Sequence, residues 1–301
     1  MQNLLSSKIK TLTLASIFND LKEITKFRLS VSVVFSSIAG YLLAAETIQI
    51  SVLLMLAIGG YFMVGASNVF NQIIEKDPDK LMKRTMNRPL PTGRMSVTTA
   101  MILGVLLTIF GLTILYIINP KTAMFGAISI FLYISVYTPL KPVTPLAVFA
   151  GAIPGAIPFM LGWVAATGKF DIEPGMLFLI QFFWQFPHFW AIGWLQHEEY
   201  KKAGFNLLPM GEKNKKATTQ ILLYTIWMIF VSVFPVLKLT GNLYLSPVAA
   251  VIIFIAGLGM LYYGIELHKK QTDKIARKLM LASVLYITLI QVIYVIDKFL
   301  H

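Results

Sequence analysis

Nine long apolar runs, nearly free of charge, alternate with polar connections along the chain, at 29–45, 52–70, 98–118, 123–138, 146–166, 176–195, 221–237, 248–265 and 279–296. A helix crossing the hydrocarbon core of a bilayer needs about 20 mostly apolar residues. Backbone groups in lipid must find their partners within the protein, so runs of this length predict helices rather than the shorter alternating strands of a barrel. The pattern predicts an all-α integral membrane protein, one domain spanning 1–301, built as a bundle of nine transmembrane helices. The segment 1–27 is polar and lacks the apolar core of a cleavable signal, so the first span is expected to remain as an anchor. The two longest connections, 71–97 and 196–220, are the expected functional loops, because long loops on a tightly connected bundle tend to carry chemistry.

Composition agrees with the pattern. Hydrophobic residues make up 56% of the chain and charged residues 13%, with a mean hydropathy of +0.71, which excludes an ordinary soluble domain. Cysteine is absent, which excludes disulfides, thiolate metal sites and thiol nucleophiles. The net charge of +12 would suggest nucleic acid on a soluble protein; here its distribution decides. Of the 26 Lys and Arg, all but Lys121, Lys169, Lys238 and Lys298 fall on the face shared by the N-terminus and the even-numbered connections. Lys8 and Lys10 belong to that face. The asymmetry predicts a cytoplasmic N-terminus and an outside C-terminus, and no nucleic-acid partner.

Asn68, Asn71 and Glu75 fall at i, i+3 and i+7 as the second helix leaves the membrane, and Asp79 extends the row if helical geometry survives Pro78. Carboxylates in such a row suit Mg2+, which takes oxygen ligands and shares its shell with substrate phosphate. Arg84 and Arg88 follow closely, as a metal-bound diphosphate would require. The second acidic patch, His197, Glu198 and Glu199, opens the other long connection. Lys141 is the sole cation of its loop and is either an anion contact or a snorkelling lysine. His188 is the only Asp, Glu, Lys, Arg or His inside any span, which makes it a functional candidate by default. It shares a stripe with Gln181 and Gln185, in an aromatic helix carrying Pro187. Gly151, Pro154, Gly155, Pro158 and Gly162 interrupt the fifth span, allowing close helix approach or irregular backbone.

Asn71, Glu75 and Asp79 at four-residue spacing, with Arg84-Thr85, Arg88-Pro89-Leu90, Tyr137 and Lys141, resemble the UbiA superfamily of intramembrane prenyltransferases. Trp184 to Phe189 and the block Glu199-Tyr200-Lys201-Lys202-Ala203-Gly204 are similar to its haem-directed branch. Four positions depart from the wider family: 75 and 199 are Glu where Asp is usual, 72 is Gln where quinone-directed members carry Asp, and Leu195 stands four residues before Glu199, leaving their second acidic motif half present.

The resemblance implies a Mg2+-dependent enzyme, multi-pass in the cell's inner membrane with its active site facing the cytoplasm. It implies transfer of the farnesyl group of farnesyl diphosphate to a vinyl group of protohaem IX (haem B), giving haem O. Haem is then a substrate rather than a cofactor, and a haem A synthase is the expected downstream partner. Asn71, Glu75, Asp79, Tyr137 and Lys141 become the catalytic candidates, Arg84, Arg88 and Lys141 the diphosphate binders, Glu75, Asp79 and Glu199 the metal ligands, and His188 the haem contact. The alternatives are prenylation of an aromatic quinone precursor, a transporter lined by the broken fifth helix and His188, and a passive haem carrier.

Overall fold

The computed structural model describes residues 14–301, so Lys8 and Lys10 lie outside the described residues, as does the first half of the expected N-terminal arm. All secondary structure among the described residues is helical. In chain order the helices are α1 (Leu14–Ile24), α2 (Phe27–Ala44), α3 (Ile50–Ile74), α4 (Lys76–Lys80), α5 (Val97–Ile118), α6 (Pro120–Phe131), α7 (Thr138–Leu140), α8 (Ala147–Thr167), α9 (Ile172–Leu195), α10 (His197–Lys202), α11 (Lys215–Val233), α12 (Pro247–Lys270) and α13 (Asp273–Leu300). A π-helical segment, Leu132–Tyr137, joins α6 to α7.

Each apolar run of the sequence coincides with one long helical element. Eight of these are long and apolar enough to cross a membrane. The remaining one, α9, has the length, with 24 residues that include Gln181, Gln185 and His188, but is not among those eight. The outer flanks are apolar as lipid requires: Val105, Leu106, Ile109 and Phe110 of α5 and Val251, Ile252, Phe254 and Ile255 of α12 are all exposed.

Helix α8 is the hub. Of its apolar window 72% is buried, against 17% for α5. The expected close approach occurs where α8 crosses α2: a Cβ on Gly162 would sit 1.9 Å from the Ser37 carbonyl oxygen, and one on Gly40 would sit 2.0 Å from that of Phe159. No other residue type fits at such a crossing. Pro158 removes the N–H that would have bonded the Pro154 carbonyl, and Ser129 Oγ on α6 donates to that carbonyl at 3.2 Å instead.

Two features position the functional end. Pro139 has no N–H, and the chain passes it through the π-helical segment, with Thr138 Oγ1 donating to Tyr133 O at 2.8 Å. Across the bundle, Gly151 of α8 lets the Tyr137 ring lie against the α8 backbone, where a Cβ would come within 2.6 Å of it.

Candidate active site

Helix α3 bends at Glu75 (φ −92°, ψ 13°), yet the four-residue register holds. Glu75 N–H donates to Asn71 O at 2.9 Å and Asp79 N–H to Glu75 O at 2.8 Å. Pro78 lies in the first turn of α4, where its missing N–H is harmless. Asn71, Glu75 and Asp79 therefore stay in one row as the spacing predicts, and all three are buried (1%, 5% and 0% exposed).

Each acid of the row has one cation. Lys141 Nζ donates to Glu75 Oε1 at 2.7 Å and Arg88 Nη1 to Asp79 Oδ2 at 2.7 Å. The other oxygen of Asp79, Oδ1, is buried without a partner. Asn71 donates through Nδ2 to Thr138 Oγ1 at 3.3 Å and accepts from Lys26 Nζ at 3.5 Å. Three cations thus face two acids.

The electrostatics follow. Burial raises the Asp79 carboxyl above the ordinary aspartate range, outweighing Arg88 beside it. Burial would lower the Lys141 ammonium, but Glu75 and the nearby tyrosines reverse this and hold it above its ordinary value. Lys26 has no carboxylate of its own: burial first, then Arg88 and Lys141, push it down to about 7. Lys141 and Arg88 balance the two acids, and Lys26, depressed by burial and by those two cations, is a group whose charged form an entering anion would favour.

Three connections close over the row. The Lys141 ammonium lies 4.5 Å from the Tyr137 ring centroid and 5.8 Å from that of Phe205. Asn206 N–H donates to Lys141 O at 3.3 Å. Arg84, unlike Arg88, is exposed and lies against Tyr200, its guanidinium 5.9 Å from the ring centroid and donating to the phenol oxygen at 3.3 Å. The loops 71–97 and 196–220 therefore meet at one end of the bundle.

Glu199 differs from expectation. Its Oε2 accepts from Lys83 N–H at 2.7 Å and its Oε1 from Lys202 Nζ at 2.9 Å, which hold its carboxyl below the ordinary range. It clasps the two loops rather than joining Glu75 and Asp79. Among the described residues no three His, Cys, Asp or Glu side chains form a ready-made metal group. Two buried carboxylates with the unpartnered Asp79 Oδ1 do fit Mg2+, which is usually bound through one or two carboxylates plus substrate phosphate and water.

The stripe on α9 is divided among neighbours. Gln181 Oε1 accepts from Gln291 Nε2 of α13 at 3.2 Å. Gln185 Nε2 donates to Ala152 O of α8 at 2.8 Å, its amide packed where Gly155 leaves room. His188 faces α13, with Nδ1 2.7 Å from Ser283 Oγ, and does not join the acid row's hydrogen bonds.

Lys26 was not legible as a site residue, being one of many lysines on the basic face. Its one structural signature is a left-handed backbone (φ 47°, ψ 56°), which costs a non-glycine residue about 1–2 kcal/mol. Thr138 is equally silent in the sequence, for a different reason: a threonine in an apolar run carries no signal of its own.

A bundle with apolar flanks and an acid–cation row at one end defines a class of membrane enzyme, and the family model says which. The chain belongs to the UbiA prenyltransferase family, whose model matches residues 33–290. It is 64% identical over 287 residues to the protoheme IX farnesyltransferase of Christiangramia forsetii, covering 95% of this chain and 96% of that one. It is 65% identical over 299 residues to the protoheme IX farnesyltransferase of Flavobacterium psychrophilum, covering 98% and 100%. Among solved structures its fold is similar to that of a digeranylgeranylglyceryl phosphate synthase (TM-score 0.77, 20% identity, 94% of this chain and 99% of that one). It is likewise similar to a UbiA homologue from Archaeoglobus fulgidus bound to GPP and Mg2+ (TM-score 0.65, 14% identity, 91% and 99%).

Proposed function

We propose that this membrane prenyltransferase moves the farnesyl group of farnesyl diphosphate onto a vinyl group of protohaem IX, giving haem O and diphosphate, with water supplying the hydroxyl of the new side chain. The names of its relatives at 64% and 65% identity support the substrates. The observation that carries the mechanism is the buried row in which Glu75 and Asp79 are each held by a single cation, with Lys26 as a third.

Glu75 and Asp79 would hold Mg2+, with Asn71 beside them, and the ion would act as a Lewis acid on the departing diphosphate. The acids' present partners, Lys141 and Arg88, would turn to the diphosphate oxygens, and Arg88 would engage them in bidentate fashion. Arg84, on the rim, would meet the anion as it enters. These cations act where charge develops as the allylic C–O bond breaks, which is the stabilisation that raises kcat. Tyr137, lying against Lys141, presents an aromatic face to an allylic cation. The Phe149, Phe182 and Phe186 cluster would receive the farnesyl chain and exclude water. His188 is the haem contact.

In this reading α9 is the ninth crossing, the N-terminus and the active site face the cytoplasm, and the membrane is the cell's inner membrane. The distribution of basic residues supports that orientation. The product keeps a long apolar tail and stays in the bilayer, available to a haem A synthase.

The test is an acceptor competition. Purified protein in detergent is given farnesyl diphosphate, Mg2+ and an equimolar mixture of haem B and an aromatic quinone precursor. Farnesylated haem alone is expected. Transfer only to the quinone precursor overturns the haem assignment, and binding of haem without any transfer makes the chain a carrier.

A further inference from the structure

Ser283 is fully buried (0% exposed) and is bonded to two aromatic residues of α9. Its Oγ lies 2.7 Å from His188 Nδ1 and 2.6 Å from the carbonyl oxygen of Met280, three residues before it on α13. Its own carbonyl accepts from Trp184 Nε1 at 2.6 Å. Trp184 in turn stacks on the His188 ring, with centroids 4.7 Å apart and planes inclined by 17°.

These distances assign the histidine tautomer. Two oxygens 2.6 Å apart need a proton between them, and a carbonyl has none to give. The single hydroxyl proton of Ser283 therefore points to Met280 O. The 2.7 Å contact from Oγ to the ring then needs a proton from the ring, so Nδ1 is the N–H. Neutral imidazole carries only one such proton, which leaves Nε2 as a bare lone pair. None of the hydrogen bonds of His188 involves Nε2.

On the proposed reading of haem as acceptor, we infer that Ser283 is a positioning residue that holds His188 with Nε2 free to ligate the haem iron. A lone pair repels an ionised propionate, so the tautomer selects the metal over the carboxylate. The arrangement follows the general design of histidine ligands, whose other ring nitrogen donates to an acceptor that fixes tautomer and ring plane. Here the hydroxyl fixes the tautomer, while the Ser283 carbonyl, through Trp184, fixes the plane. Ligation on one face would anchor the porphyrin and limit which of its edges can turn toward the farnesyl cation.

The experiment titrates full-length protein in detergent with ferric haem and, separately, with iron-free protoporphyrin IX, reading absorption and electron paramagnetic resonance spectra. Wild type is expected to give the spectrum of histidine-ligated haem. Ser283→Ala should weaken haem binding by on the order of 10- to 100-fold and leave iron-free porphyrin binding unchanged. His188→Ala should abolish the histidine signature, and Ser283→Thr, which keeps the hydroxyl, should retain it even where Ser283→Ala fails to fold. Equal loss of haem and iron-free porphyrin in Ser283→Ala would mean a packing role and overturn the inference. Wild-type turnover of haem to a farnesylated product without a histidine-ligated spectrum would overturn the inference alone. Failure of wild type to bind haem at all would overturn the reading beneath it as well.

Discussion

Two pairs of buried carboxylates sit at opposite ends of this bundle and are satisfied in opposite ways. At the basic end, Glu75 and Asp79 are 5% and 0% exposed; at the far end, Glu173 and Asp297 are 8% and 5% exposed. The far pair is tied to backbone. Glu173 Oε1 accepts from Asn242 N–H at 2.9 Å, and Asp297 accepts from Ser246 N–H at 2.7 Å and from the Ser246 hydroxyl. The two backbone donors are fixed by the fold and cannot turn elsewhere, so the far acids pin the loop before α12 to α9 and α13. The near pair is held by Lys141 and Arg88, long side chains that can exchange a carboxylate for another anion, and Asp79 Oδ1 is left open. Burial of an acid does not by itself mark a site; the kind of partner does.

The largest expected effect separates the two ends outright. Asp79→Asn or Glu75→Gln should lower kcat toward the upper end of the roughly 10²- to 10³-fold cost of losing one preorganised charge, because each acid also governs a divalent metal. Asp297→Asn and Glu173→Gln should leave kcat within about twofold, since neither end shares partners with the other. Steady-state kinetics with haem and farnesyl diphosphate check both; equal losses at the two ends would erase the distinction.

Next in size are the cations. Arg88→Lys keeps the charge but loses the planar fork, and should lower kcat by about tenfold or more if bidentate contact to diphosphate matters. Unchanged kinetics would confine Arg88 to its structural pairing with Asp79.

The far pair should show its worth in stability. Asp297→Asn leaves a backbone N–H and a hydroxyl with a poorer acceptor and should cost about 1–3 kcal/mol, read as an earlier thermal transition in detergent with activity intact.

The smallest effect is on pH dependence. The folded Asp79 carboxyl holds its proton above the ordinary aspartate value because of burial. In metal-free protein its contribution to stability is therefore full below the unfolded value and is lost as pH rises through the folded one. Glu199 is held below its ordinary value by Lys83 N–H, so its contribution is present above the unfolded value and lost as pH falls through the folded one. Asp79→Asn and Glu199→Gln should flatten opposite slopes in acid-range unfolding curves of metal-free protein.

The sequence carried the helices and the acid row because both rest on local rules. Long apolar runs must become helices in lipid, and the helical repeat puts Asn71, Glu75 and Asp79 in line once Pro78 falls in a first turn. The helices overrun the apolar runs at their ends because polar residues can continue a helix into the interface. What stayed hidden was set by contacts between distant segments. Glu199 meets the backbone N–H of Lys83, which no side-chain pattern announces, and so its acidic patch reads in the sequence as metal-binding. Lys26 enters the site through a left-handed turn between α1 and α2, and the sequence does not distinguish it from the lysines that set topology. Ser283 stands 95 residues from His188, and only the packing of α9 on α13 makes it a partner.

The central claim is that Glu75 and Asp79 hold a metal–diphosphate in place for farnesyl transfer to haem. The most direct measurement is the mass of the haem product made by purified wild type and by Asp79→Asn, with Mg2+ and with the metal chelated. The account predicts one hydroxyethylfarnesyl haem from wild type with Mg2+, and none from the variant or after chelation. Product formed equally well without metal, or by Asp79→Asn at the wild-type rate, would contradict it.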